Sequence, residues 1–132
     1  MNSLIEIHDS RLAGIAWESE NLLLRFAPAY VHRSEGRPGV DDGSGWLLEL
    51  DLIFAAAVAE SIPAIVPVDL ADGQFFEEET CWDNQIPLPL DIVGEVSLRA
   101  VTFENEWLIV RGRAALIVER GEPVYLEEYP GV

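Results

Sequence analysis

The sequence predicts an all-β protein, a single-domain antiparallel sandwich or barrel of roughly eight strands across residues 1–132, with at most one short helix. Aliphatic and aromatic residues alternate with polar ones at a period of two, and glycine, proline and acidic turn formers interrupt these runs at short intervals. Only Ala55–Ser61 has a composition that favours helix. The clearest stretch is Val93–Glu119, where two runs rich in Val, Ile, Leu, Phe and Trp flank Glu104, Asn105 and Glu106 in the manner of a β-hairpin. Val96, Leu98 and Ala100 share one face of the first run, and Leu108, Val110, Gly112, Ala114, Leu116 and Val118 make an unbroken even-numbered face in the second. A three-residue loop at 104–106 sets even against even, pairs Phe103 with Trp107 and Ala100 with Val110, and puts Asn105 or Glu106 in the left-handed region. It also sets Arg99 opposite Arg111, so a carboxylate from Glu49, Asp51 or Glu95 is expected beside them.

The other elements follow in chain order. Leu12–Trp17 and Leu22–Tyr30 form a first hairpin around Glu18–Asn21, with Leu22, Leu24 and Phe26 on one face, Arg25 on the other, and Pro28 at an edge or bulge where a ladder donor can be spared. The turn formers of Ser34–Gly45 predict a long, mobile surface loop. In Trp46–Phe54, Trp46, Leu48, Leu50, Leu52 and Phe54 alternate with Glu49 and Asp51, so the outward face is acidic. Ala55–Ser61 forms a helical turn or two, or else prolongs the strand. Pro63 and Pro67 then leave an extended edge segment ending near Leu70. Ala71–Gly73 is a turn, and Gln74–Glu79 a short strand with three glutamates at its solvated end. The alternation IPLPL at Ile86–Leu90 imposes polyproline-like or edge geometry. Gly121–Pro123 turns the chain into a last strand, Val124–Tyr129.

A chain of 132 residues fits one domain with a real core. Its single cysteine, Cys81, excludes an internal disulfide framework and reads as a buried or idle thiol. The start MNSLIEIHDS has neither a basic region nor a long apolar region of the secretory kind, so cytoplasmic residence is expected. The 24 acidic residues outnumber 8 basic ones, all of them arginine, for a net charge of −16. That field repels the phosphates of nucleic acid and of an anionic membrane surface, so neither is an expected partner.

The phrases HDSRLAGI, IPLPLDIVGEVSLRAVTFENE and EPVYLEEYPG together resemble a group of small bacterial β-proteins of unknown function, and the HDS opening is also similar to that of some immunity partners of bacterial toxins. The likeness covers both ends and the central hairpin but not Ala55–Asp83. It implies a cytosolic bacterial all-β protein and transfers no functional residue.

His8, Asp9 and Ser10 are the residue types of a nucleophilic triad, but adjacent residues point apart, and Asp9 and Ser10 more readily bond nearby backbone. His32 reads as an exposed strand-end residue. Asp41, Asp42 and Gly43 lack the spacing of a calcium loop. Catalytic, metal and cofactor signatures are all missing, so no cofactor and no metal is expected. The densest acidic cluster, Glu77, Glu78, Glu79 and Asp83, lies beside Phe75 and beside Trp82, which sits in an irregular stretch and is expected to be exposed; Trp17, Trp46 and Trp107 read as core fillers. The leading expectation is a non-enzymatic, immunity-like protein that binds a basic protein partner through Phe75, Glu77, Glu78, Glu79, Trp82 and Asp83. The alternatives are a β-barrel holding a small apolar ligand and a carboxylate-based hydrolase or isomerase. The edge around Ile62–Val68 is where a homodimer would form, although its prolines act against such pairing.

Overall fold

The computed structural model covers residues 1–132 and contains eleven strands and no helix. In chain order they are β1 (Asn2–Glu6), β2 (Arg11–Glu18), β3 (Asn21–Ser34), β4 (Gly43–Ala55), β5 (Val58–Ser61), β6 (Val68–Glu77), β7 (Thr80–Asp83), β8 (Gln85–Leu88), β9 (Asp91–Thr102), β10 (Trp107–Glu119) and β11 (Val124–Tyr129). Six of them close an antiparallel barrel in the order β2-β3-β4-β10-β9-β6. Its narrowest seam joins β6 back to β2 through Arg11↔Asp69 and Leu12↔Val68 alone, where Arg11 also reaches Asp69 at 3.0 Å. With no helices at all, no segment is a helix long and apolar enough to cross a membrane.

Two long strands tie the barrel to its outer layer. The first half of β3 pairs with β2 and its second half with β1, while β4 pairs with β10 at its end and with β11 at its start. The switch in β3 occurs at a bulge between Phe26 and Ala29. Pro28 sits in that bulge, within an interior strand and not at an edge, because an irregular step leaves the ladder without need of its missing donor. β8 adds to the far side of β1, β5 to β10 and β7 to β6. The interior is filled by one cluster of 23 buried hydrophobic residues, with Phe26, Phe54 and Phe75 among the largest fully buried side chains. Six strands enclose less room than the eight whose interior side chains just fill, so a packed centre is the expected outcome of closure.

The central hairpin forms, but in a different register from the expected one. Trp107 pairs with Val101 and Leu108 with Ala100, so the loop is Phe103–Asn105, with Asn105 in the left-handed region at φ 64°. Thr102 is the reason: its buried hydroxyl accepts hydrogen bonds from the amides of Glu104 (3.2 Å) and Glu106 (3.1 Å), which draws the closing pair one position back on each strand and shifts the register by two. Even still meets even, since the slip is a multiple of the side-chain period. Arg99 therefore faces Ile109 and Arg111 faces Ser97, so the like-charge pair does not arise. Arg99 instead lies over the Trp107 ring, 4.6 Å from its centroid, and Arg111 reaches Glu60 at 3.3 Å. The even-numbered face of β10 is broken as well. A register shift between Gly112 and Ala114 sets two residues of β9, Gly94 and Glu95, against Arg113 alone, and past it Ala115 is buried and Leu116 is 39% exposed.

Four further corrections concern local structure. Ala55–Ser61 turns at Ala56 (φ 47°) into β5, so the strand alternative prevails over helix. Ala71–Gly73 is a bulge inside β6 and not a turn. The loop after β3 is shorter than Ser34–Gly45 and well tied: Ser34 Oγ donates to Asp42 O at 2.7 Å, Asn2 Nδ2 to Gly36 O at 2.7 Å, and the Arg37 amide to Asp41 Oδ2 at 2.7 Å. Residues 62–67 join no ladder, which removes the edge on which self-pairing would rest.

Candidate functional site

The residues expected to meet a partner lie on the β6–β7 hairpin, but they do not share one face. Phe75 pairs with Leu98 on one side and Trp82 on the other, and its side chain is fully buried, so it belongs to the core and not to the contact surface. Trp82, directly across from it, packs half-buried against the same core instead of standing exposed; the tryptophans at the surface are Trp17 (50% exposed) and Trp107 (41%). Strand alternation turns Phe76 outward in place of Phe75. The turn at Glu78 and Glu79 has Glu78 at φ 52°, its amide donating to Glu95 O at 2.9 Å. The Glu78 carboxylate lies over Gly94, where an added Cβ would come within 2.8 Å of it. Glu79 and Asp83 are exposed and Glu77 half-buried, and none of these acids is within ion-pair distance of an arginine. Beside the hairpin lies a cleft of about 770 Å³ lined by Phe76, Glu78, Val93, Glu95, Arg111 and Arg113.

A second, more structured cluster lies on β1 and β3, in a cleft of about 320 Å³. Pairing of β1 with β3 brings Glu6 opposite Tyr30 and sets His32 nearby, so that His32 Nε2 meets Glu6 Oε2 at 2.5 Å. His32 is 6% exposed, contrary to its reading as an exposed strand end, and stands between Tyr30 and Tyr129 with ring centroids 4.9 and 4.8 Å away. Its Nδ1 is buried without a hydrogen-bond partner. The other Glu6 oxygen lies 3.5 Å from His8 Nδ1, which lies 3.3 Å from Asp9 Oδ1. The ligand atoms of Glu6, His8 and Asp9 all fall within 4.8 Å of one another, so these three are the residues able to hold a metal ion.

The backbone around this cleft is pinned from several directions. Asn84 Oδ1 accepts from the His8 amide at 2.8 Å and Asn84 O from the Ile7 amide at 2.9 Å. Ser10 Oγ donates to Glu6 O at 2.6 Å and accepts from the Tyr30 amide at 3.0 Å, so its hydroxyl is a buried structural pin and no nucleophile. Tyr30 Oη donates to Glu127 Oε1 at 2.8 Å, and it sits where a Cβ on Gly45 would lie, which requires glycine there.

The electrostatics follow from these contacts. Above all, the hydrogen bond with His32 holds the Glu6 carboxyl below its ordinary range; burial opposes it and His8 adds to it. Burial, then the Glu127 carboxylate, pushes the Tyr30 phenol well above its ordinary value, so it remains a donor. The adjacent His8 and Asp9 stand out in the sequence; His32 joins them only through the β1–β3 register, for which the sequence holds no signal. Comparison of the chain with known protein families, curated sequences and solved structures finds no match.

Proposed function

We propose that this chain is a non-enzymatic binding protein, immunity-like in type, that meets a basic protein partner through the acidic β6–β7 hairpin. The observation that supports this reading is the unneutralised charge of the hairpin: Glu77, Glu79 and Asp83, with Glu95 beside them, have no arginine in ion-pair range. Across the chain only Asp51, Asp69 and Glu60 of the 24 acidic residues pair with an arginine, so the surface field is strongly negative. Such a field chiefly accelerates encounter with a cationic partner and fades with salt. β7 is also an outer strand that pairs with β6 alone, which leaves its other edge open beside those acids. Because Phe75 is buried and Trp82 packs against the core, this reading gives the aromatic contribution to Phe76.

A barrel enclosing a small apolar ligand is the second reading, and the closed barrel supports its architecture. A ligand there would have to displace members of the 23-residue core cluster, which weighs against it.

Capture from lysate of the native host at low ionic strength tests the first reading. The triple variant Glu77→Gln, Glu78→Gln, Glu79→Gln is expected to lose a basic protein that the wild type retains. The equally charged control Glu119→Gln, Glu122→Gln, Glu128→Gln is expected to keep it. If no basic protein is recovered, or both variants lose it alike, a specific acidic hairpin is the wrong account.

A further inference from the structure

We infer that Glu6, His8 and Asp9 form a site for a divalent transition-metal ion of the zinc class, with His32 as the residue that positions Glu6. The donor set is one imidazole nitrogen and two carboxylate oxygens, the mixture that zinc and its first-row neighbours accept and that leaves coordination positions for water or a further ligand. The separations agree with such an ion. Bonds of about 2.0–2.1 Å in tetrahedral geometry hold ligand atoms roughly 3.3–3.4 Å apart; His8 Nδ1 lies 3.5 Å from Glu6 Oε1 and 3.3 Å from Asp9 Oδ1, and the two carboxylates are within 4.8 Å of each other. Both exceed an ordinary N–H···O hydrogen bond of about 2.7–3.2 Å, so neither carboxylate holds His8 tightly.

Exposed acids often cluster with no ion between them, and here a separate observation points to a ligand. His32 lines the same cleft, is 6% exposed, and has a buried Nδ1 with no partner, while its Nε2 is committed to Glu6 Oε2. A buried imidazole with one nitrogen unsatisfied is costly in a packed protein. It is accounted for if the ring is held to orient Glu6 through Nε2, as residues hydrogen-bonded to ligating carboxylates do, at the expense of Nδ1. The site is also preorganised, because Asn84 and Ser10 fix the backbone of residues 6–10 through four hydrogen bonds. This inference stands apart from the acidic-hairpin reading and survives its failure.

Calorimetric titration of the untagged chain, stripped with chelator, with zinc chloride in excess calcium tests it. One saturable site per chain is expected, weakened roughly tenfold or more by His8→Ala and by Asp9→Asn. Those side chains are 46% and 49% exposed, so both variants keep the fold. The Glu77→Gln, Glu78→Gln, Glu79→Gln variant removes as much charge elsewhere and is expected to bind zinc normally. With cobalt as the probe, His32→Gln is expected to alter the visible absorption band of the bound ion, which a purely structural histidine would leave unchanged. No saturable binding, displacement by calcium, or equal weakening in the hairpin variant would overturn the site.

Discussion

Asp51 shows how a single outward-facing carboxylate becomes part of the framework. It is fully buried, receives Arg25 Nε at 2.6 Å and Nη2 at 3.0 Å, and receives Arg120 Nε at 2.5 Å. The alternation of β4 placed Asp51 outside the core correctly, but its partners were expected to be Arg99 and Arg111. Arg25 is its direct cross-strand neighbour and Arg120 arrives from the end of β10, and neither pairing follows from local sequence. The Arg25 hydrogen bond, then Arg120, holds the Asp51 carboxyl below its ordinary value of 3.8, against the opposing effect of burial. A carboxyl whose folded value is depressed stabilises the fold fully above its unfolded value and loses that contribution as pH falls through the folded value. Asp51→Asn is thus expected to cost about 1–3 kcal/mol at pH 7, toward the lower end because both arginines are 45% exposed and rehydrate. The gap from wild type in urea midpoint should close as pH drops below 3.8. A gap that stays constant down to strongly acid pH would mean that the arginine clamp is not its origin.

At the scale of the element, the sequence specified faces better than registers. The alternation in β3, β4 and β9 correctly marked Leu22, Leu24, Phe26, Leu48, Leu50, Leu52, Phe54, Val96, Leu98 and Ala100 as buried. It failed past Gly112 in β10, where Gly94 and Glu95 of β9 oppose Arg113 alone and the buried face passes from even to odd numbers. The hairpin loop was misplaced by one residue, and its register by two, for a comparable reason. Glu104, Asn105 and Glu106 are the evident turn formers, while the deciding atom is the Thr102 hydroxyl, a side-chain acceptor that competes with regular pairing. Thr102→Val conserves the volume and removes that acceptor from two loop amides. It is expected to destabilise by about 1–2 kcal/mol, with faster hydrogen exchange at the amides of Glu104 and Glu106 and little change in the middle of β9. Uniform acceleration along the whole strand, or none at the loop, would show that the hydroxyl does not close the hairpin.

Over the whole molecule, class was legible and closure was not. Alternation and punctuation predict roughly eight strands where eleven form, and the barrel seam between β6 and β2 rests on two residue pairs, contacts of a kind invisible along a chain. The acidic hairpin was legible as a cluster, and its two-faced arrangement was not. Net charge, by contrast, needs no fold to be read, and its consequence is global. With −16 distributed over one small body and three acids paired to arginines, the folded state holds its carboxylates closer together than the unfolded chain does. Screening should therefore favour folding. Raising sodium chloride from 0.01 to 1 M shortens the Debye length from about 30 to about 3 Å, which weakens surface repulsion throughout while leaving the buried Asp51 contacts largely unscreened. The expected result in a thermal scan at pH 7 is a rise in Tm, at roughly 3–6 °C for each kcal/mol of relieved repulsion. Chloride is the appropriate salt, because sulfate strengthens apolar burial by a separate route. If Tm stays level or falls with salt, ion pairs at the surface outweigh like-charge repulsion, and the picture of an unneutralised negative surface on which the binding proposal rests is wrong.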